Sequence, residues 1–245
     1  QGYSSAASDV YKRQTYTRAV KTFLLWLNEN EFIQNVGKLK LIKAEIANIV
    51  PLSDVEVKIL LNNFDNSYFG IRNKLMVMFM LDSGLRRGEV VSLESKNIFM
   101  HNNTMLVQGK GEKERLVPFG EETKRYINRY SHMRNEYEKR FFQKEDGTPI
   151  TDNTIKMYFQ DLKESTGIIR LHPHLLRHTF ATNYILYGGD VEELRILLGH
   201  TSLQMTMKYV HLATQQRILN QRYHSHIDKL FCQYDNKLAQ YSGSF

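Results

Sequence analysis

Residues 172–200 read HPHLLRHTFATNYILYGGDVEELRILLGH, two helix signatures with basic side chains at their ends. Pro173 suits the first turn of a helix, where its missing N–H would have had no intrahelical partner. A helix is therefore expected over 174–187. Leu176, Phe180 and Tyr184 recur at i, i+4 and i+8 and give it a buried stripe. His174 and Arg177 lie three apart, so they share a face. Asp190 to Glu193 has the pattern of a capping box. Gly199 is placed to close the second helix as a left-handed C-cap, and His200 leaves that helix at a defined angle. A guanidinium beside an imidazole is poor core material. It suits a phosphate, whose oxygens the planar arginine fork matches in pairs.

Working outward, a second fork stands in Ser83-Gly-Leu-Arg86-Arg87-Gly-Glu89. A strongly apolar helix is expected over 72–82, ended by Ser83-Gly84, and a second over 86–93. There Arg86 would sit beside backbone N–H groups that favour anions. Strands are expected over 105–108 and 115–119, around the hairpin signature Gly109-Lys110-Gly111-Glu112-Lys113. Lys110 lies between two glycines at that tip, where a flexible ammonium can reach into a cleft. The highly charged stretch 121–139 reads as a solvated helix. Ile155, Tyr158, Phe159 and Leu162 give a helix over 154–166 one apolar side. Tyr209 lies nine residues after His200, on what should be the next helix. Ile227, Leu230, Phe231, Tyr234 and Leu238 mark a terminal amphipathic helix. No internal repeat is visible. The fold class is mainly α with a small antiparallel β-sheet.

The remaining sequence bounds the function. The 245 residues carry 33 Lys+Arg against 26 Asp+Glu, a net charge of +7, with most of the excess after residue 65. A polyanionic partner fits this balance, although charge alone identifies none. The one cysteine, Cys232, excludes an internal disulfide, a zinc finger and a CxxC redox pair. The longest apolar run, near 75–81, is far short of the ~20 residues of a membrane span. With no apolar signal-peptide core at the start, a soluble cytoplasmic protein is expected. Residues 1–14, QGYSSAASDVYKRQ, have no helical or strand period and read as an extraneous start. Val20, Phe23, Leu24 and Leu27 predict an amphipathic helix over 15–29. A weaker helical or extended stretch covers 38–50. Pro51 breaks the chain, and Ser53-Asp-Val-Glu56 is a capping box, so a domain boundary is expected at about residue 51.

Taken together, five blocks resemble the tyrosine recombinases, the phage-integrase group. They are Gly84-Leu85-Arg86 with Glu89, Gly109-Lys110-Gly111 before Glu114-Arg115-Leu116-Val117-Pro118, His174-Leu-Leu-Arg177-His178, Leu198-Gly199-His200, and Tyr209-Val210-His211. Each alone is weak, but their order and spacing agree over roughly 52–215. The resemblance implies a DNA breaking-rejoining catalytic domain over 52–245. A partial helical DNA-clamping segment would precede it over 15–50. It implies six catalytic residues: Arg86, Lys110, His174, Arg177, His200 and the nucleophile Tyr209. The paired small hydroxyl residues usual near the nucleophile read Met205-Thr206 here, a mild departure.

The chemistry implied is attack of the Tyr209 phenol on a DNA phosphodiester. The two arginines and Lys110 would neutralise the charge that develops at phosphorus. A phenol of pKa ~10 needs help to lose its proton, and His174 is the expected assistant. Lys110 would protonate the leaving 5′ oxygen and His200 would bond the phosphate. The product is a 3′-phosphotyrosyl linkage that can be rejoined without ATP, and no metal or cofactor is required. The expected partners are double-stranded DNA and further copies of the chain, as a tetramer on two sites. An accessory directionality factor is an allowed addition. A mobile-element integrase is the first role expected, with an Xer-like chromosome dimer resolvase as alternative. An inactive DNA-binding fragment and a type IB topoisomerase are the other readings. Around the site, Arg87 and Lys113 are the alternatives to Arg86 and Lys110. Glu89 is expected to orient an arginine and His178 to be a hydrogen-bonded structural residue. His172, His174 and His178 have metal-like spacings, but no HExxH box or cysteine cluster accompanies them.

Overall fold

The computed structural model describes residues 2–34, 49–109 and 114–219. The expected terminal helix over 227–238, the hairpin tip with Lys110 and Lys113, and most of the stretch 38–50 lie outside the described residues. The chain divides into two compact units, Gln1–Val50 and Pro51–Phe245. In the first, helix α1 spans Gly2–Glu29. It therefore runs through residues in which no helical period was expected. No proline or glycine interrupts residues 3–29, and each residue added to an existing helix gains a backbone hydrogen bond whether or not it carries an apolar stripe.

The second unit contains α2 (Asp54–Asn62), α3 (Tyr68–Asp82), α4 (Arg87–Ser92), and a 3-10 turn at Ser95–Asn97. Strands β1 (Ile98–Phe99), β2 (Thr104–Gln108) and β3 (Glu114–Pro118) follow. Helices α5 (Glu121–Ser131), α6 (Asp152–Thr166), α7 (Pro173–Leu186), α8 (Val191–Leu198) and α9 (Gln204–Leu219) complete it. The sheet is antiparallel in the order β1-β2-β3. Its register pairs Met105 with Val117 and Val107 with Arg115. Met105, Val107 and Val117 are buried, whereas Leu116 faces outward. Strand β1 adds a third member that two residues could not announce by pattern.

Helix α3 is the centre of the core. Ile71, Leu75, Met76, Val77, Phe79 and Met80 are all buried, as expected for a helix that is apolar on every side. Phe79, Tyr130, Phe141 and Phe142 form an aromatic cluster beneath it. The predicted capping box at Ser53 and Glu56 is present.

Three local expectations need correction. Helix α5 stops at Ser131, eight residues short of the predicted end. Tertiary contacts win there: Arg134 donates to the carbonyls of Glu138 and Phe141, and the Asn135 N–H donates to Gln143 Oε1. In α7 Leu176 is fully buried, but Phe180 and Tyr184 are only partly so, and the buried set is Leu175, Leu176, Arg177, Thr179, Ala181, Thr182 and Ile185. The α8 capping box is half formed. Asp190 accepts from the Glu192 and Glu193 N–H groups, while the Glu193 carboxylate is held by the Tyr184 hydroxyl at 2.7 Å.

Two glycines set the turns that carry the site. Gly84 has φ +64°, and a Cβ there would lie 2.4 Å from the Phe180 ring. Gly199 closes α8 at φ +60°, with the Arg115 guanidinium packed 3.3 Å from where a Cβ would be. In both, the chain needs the left-handed region that glycine adopts without steric cost.

Candidate active site

The site is organised by one carboxylate. Glu89 is buried on α4, and Arg86 caps the start of that helix. Glu89 Oε2 accepts the Arg86 backbone N–H at 2.7 Å, and Oε1 accepts Arg86 Nη1 at 2.7 Å. Arg115, projecting inward from β3, makes a bidentate fork to the same carboxylate at 2.9 and 2.8 Å. Its Nε donates to the Leu197 carbonyl at 2.6 Å, tying the sheet to the end of α8. Arg177 Nη1 lies 3.9 Å from Glu89 Oε2. Burial pushes the Glu89 pKa up, but hydrogen bonds and charge from Arg115, then Arg86, outweigh it and leave the pKa lowered. Three guanidinium groups thus share one carboxylate, and among the described residues no second carboxylate joins them.

Arg177 is 4% exposed and spans the two glycine turns. Nη1 donates to the Gly84 carbonyl at 2.7 Å and Nη2 to the Leu198 carbonyl at 2.5 Å. Burial, then the neighbouring Arg86 charge, lowers its pKa to about 10, so it stays charged at neutral pH. Nη2 also lies 3.4 Å from His200 Nε2. An arginine only donates, so Nε2 is the acceptor and His200 Nδ1–H donates to Thr206 Oγ1 at 2.9 Å. Burial and then Arg177 hold the His200 pKa near 4, and the ring is neutral. Thr206 is the surviving member of the small-hydroxyl pair that reads Met205-Thr206.

His174, the second residue of α7, lies on the rim of a cavity of about 310 Å³ with Arg86, Arg87, Glu89, Gln108 and Gly109. Partial burial, then the charge of Arg177, lowers its pKa. Tyr209 is 1% exposed on α9. Its ring stacks over His200 at a centroid distance of 6.3 Å, and Lys208 Nζ lies 4.9 Å from it. The imidazole bonded to its hydroxyl is that of His178, at 2.8 Å. Burial pushes the phenol up to about 12.

Five of the six expected residues, Arg86, His174, Arg177, His200 and Tyr209, gather here, and the sixth, Lys110, lies outside the described residues. Arg87, on the same cavity, is paired with Asp152 at 3.1 and 3.3 Å and does not join the Glu89 cluster. Among the described residues no three His, Cys, Asp or Glu gather to hold a metal ion. None of the described helices is long and apolar enough to cross a membrane. Arg115 carries a role that sequence reasoning did not assign. The signal was there: Arg115 and Val117 are two apart in a strand and so share the inward face, and an inward arginine needs a buried partner.

The phage integrase family matches residues 51–216. The tyrosine recombinase XerC of Staphylococcus epidermidis is 31% identical over 226 residues, covering 85% of this chain and 74% of that protein. XerC of Staphylococcus haemolyticus is 30% identical over 217 residues, covering 84% and 73%. Among solved structures, the XerA recombinase matches with a TM-score of 0.64 at 26% identity, over 86% of this chain and 77% of that one. The Tn1549 transposon integrase, solved with a circular intermediate DNA, matches in fold with a TM-score of 0.68 at 18% identity, over 91% and 78%.

Proposed function

Because the chain belongs to the phage integrase family and is a tyrosine site-specific recombinase, we propose that Arg86, Lys110, His174, Arg177, His200 and Tyr209 cut and rejoin double-stranded DNA. The observation that carries this reading is the charge surplus around Glu89. Three guanidinium groups on one carboxylate leave two positive charges without a carboxylate, beside an open cavity. A buried charge is costly unless it is paired, and a phosphodiester supplies one negative charge against this surplus of two. A second cavity, of about 330 Å³, continues the basic surface with Arg87, Lys156, Lys163 and His172, a path suited to flanking phosphates.

The reaction follows from these groups. Arg86 and Arg177 fork onto the non-bridging oxygens, where charge grows as the phosphorus becomes five-coordinate. His200 lies against Arg177 and bonds the same phosphate. The Tyr209 oxygen attacks phosphorus, and the bond to the 5′ oxygen breaks. His174 is neutral and open to the cavity, so it is free to accept the phenol proton. Lys110 gives a proton to the leaving 5′ oxygen. A 3′-phosphotyrosyl linkage and a 5′ hydroxyl result, and attack by the 5′ hydroxyl of another strand reverses the step. The scheme draws on no metal and no cofactor.

In this reading residues 15–50 are part of a DNA-clamping helical segment and 52–245 are the catalytic domain. A tetramer on two DNA sites carries out the exchange in the cytoplasm, with a directionality factor as an optional partner. Both roles read from the sequence fit this chemistry, integration of a mobile element and an Xer-like resolution of chromosome dimers, and proteins of both kinds are among those the chain resembles, XerC of Staphylococcus epidermidis and the Tn1549 transposon integrase. Recombination of a plasmid bearing a chromosome-terminus site, against one bearing the DNA that flanks this gene, separates the two roles.

The chemistry is tested by incubating the chain with a nicked duplex bearing its site. The expected product is a protein–DNA adduct that survives detergent. Tyr209→Phe should retain DNA binding and form no adduct; an adduct of unchanged yield would falsify the nucleophile assignment. Relaxation of a supercoiled plasmid lacking the site would instead indicate a topoisomerase.

A further inference from the structure

The Tyr209 hydroxyl reaches from α9 to α7, where His178 Nδ1 lies 2.8 Å away. Among the described residues this is the phenol's one hydrogen-bond partner. A buried phenol proton needs an acceptor. Tyr209 therefore donates, and His178 carries its own proton on Nε2. Burial, then the positive charge of Lys208, lowers the His178 pKa to about 3, so the ring is a neutral acceptor at physiological pH. Moving a proton from a phenol near 12 to an imidazole near 3 runs strongly uphill. The bond holds the phenol proton; it does not remove it. Neither Tyr209 nor His178 lines the cavity beside Arg86 and His174. The hydroxyl is held in the α7–α9 contact by the His178 ring, while Arg177 and Arg86 are near enough for their charges to favour the phenolate.

Resting on the reading of Tyr209 as nucleophile, we propose that His178 is a positioning residue that withholds it, keeping the phenol protonated between α7 and α9 until a bound phosphate offers the hydroxyl a second acceptor. In DNA-free protein the nucleophile then stands beside the arginines that activate the phosphate but keeps its proton on the bond to His178. Cleavage awaits a correctly seated duplex, whose phosphate draws the hydroxyl from Nδ1 before His174 takes the proton.

The test is nitration of the DNA-free full chain with tetranitromethane, mapped by peptide mass spectrometry. Tyr137 and Tyr187, 88% and 68% exposed, serve as internal references. Wild-type Tyr209 should react at least about tenfold more slowly than either, as a buried and bonded group. His178→Leu offers no acceptor. It should raise Tyr209 nitration about five- to thirtyfold, the effect of one lost buried hydrogen bond. Adduct formation on the nicked duplex should quicken by a similar factor. His178→Asn, whose Oδ1 stands where Nδ1 was, should return both rates toward wild type. Wild-type Tyr209 that nitrates as fast as the references overturns the proposal without any variant. Unchanged nitration in a folded His178→Leu chain, or an adduct rate that fails to rise, also overturns it. Nitration reports on the hydrogen bond whether or not Tyr209 attacks DNA, and the Tyr209→Phe adduct assay tests that separate point.

Discussion

Replacing Glu89 by glutamine removes one charge and almost no volume from the centre of the site. The carboxylate accepts four hydrogen bonds of 2.7–2.9 Å, two from Arg86 and two from Arg115, and faces Arg177 at 3.9 Å. Glutamine keeps one acceptor oxygen but turns an NH₂ toward groups that themselves only donate. Removing one partner of a buried ionic network costs about 3–5 kcal/mol, because the remaining charges stay buried and unpaired. For a chain of this size that corresponds to a fall in Tm of about 6–20 °C. The site also gains affinity for anions, so inorganic phosphate should restore part of the loss. A ligand at a hundred times its Kd contributes about 2.7 kcal/mol. The assay is thermal unfolding of both proteins in phosphate and in chloride at matched ionic strength. The sign with pH is fixed as well. The Glu89 pKa is lowered in the folded chain, so its contribution is intact above the unfolded value of 4.5 and fades as pH falls through the folded value. The gap between the two proteins should therefore close in acid. A Glu89→Gln chain that melts within about 2 °C of wild type, with no added response to phosphate, refutes the shared-carboxylate reasoning.

Further expectations concern the arginine fork, the turn and the histidines. Arg177→Lys keeps the charge but loses the fork, and adduct formation should fall by about 10²–10³ while DNA binding changes less than about tenfold; equal losses in the two assays would reduce Arg177 to a backbone contact. Gly84→Ala forces a left-handed residue into contact with Phe180 and should cost about 2–4 kcal/mol in urea unfolding; a neutral result would mean that the turn relaxes freely. His178 and His200 both have folded pKa values far below the ordinary 6.5. The unfolded chain therefore binds more protons, and stability should be full above about pH 6.5 and decline between there and pH 4. A flat unfolding profile across that window would contradict the neutral burial of these rings.

The turns of the site were legible because their chemistry is local. Pro173 at the start of α7, Gly199 at the end of α8 and the Ser53–Glu56 box each follow from a residue and its near neighbours. Order and spacing then pointed to Arg86, His174, Arg177, His200 and Tyr209. What each side chain touches was set elsewhere in the chain. Arg115 meets Glu89 across 26 residues, Tyr209 meets His178 across 31, and Arg177 meets the Gly84 carbonyl across 93. Such pairings arise when packing brings distant faces together, and no local propensity encodes them. For the same reason α5 ended early, where Gln143 and Arg134 satisfied the backbone beyond Ser131. The sequence by itself determined which groups are available to a phosphate. The tertiary structure alone decided that a single buried carboxylate gathers the arginines, and that the phenol rests on the His178 imidazole, because a buried charge or hydroxyl takes whichever partner the packed core leaves within reach.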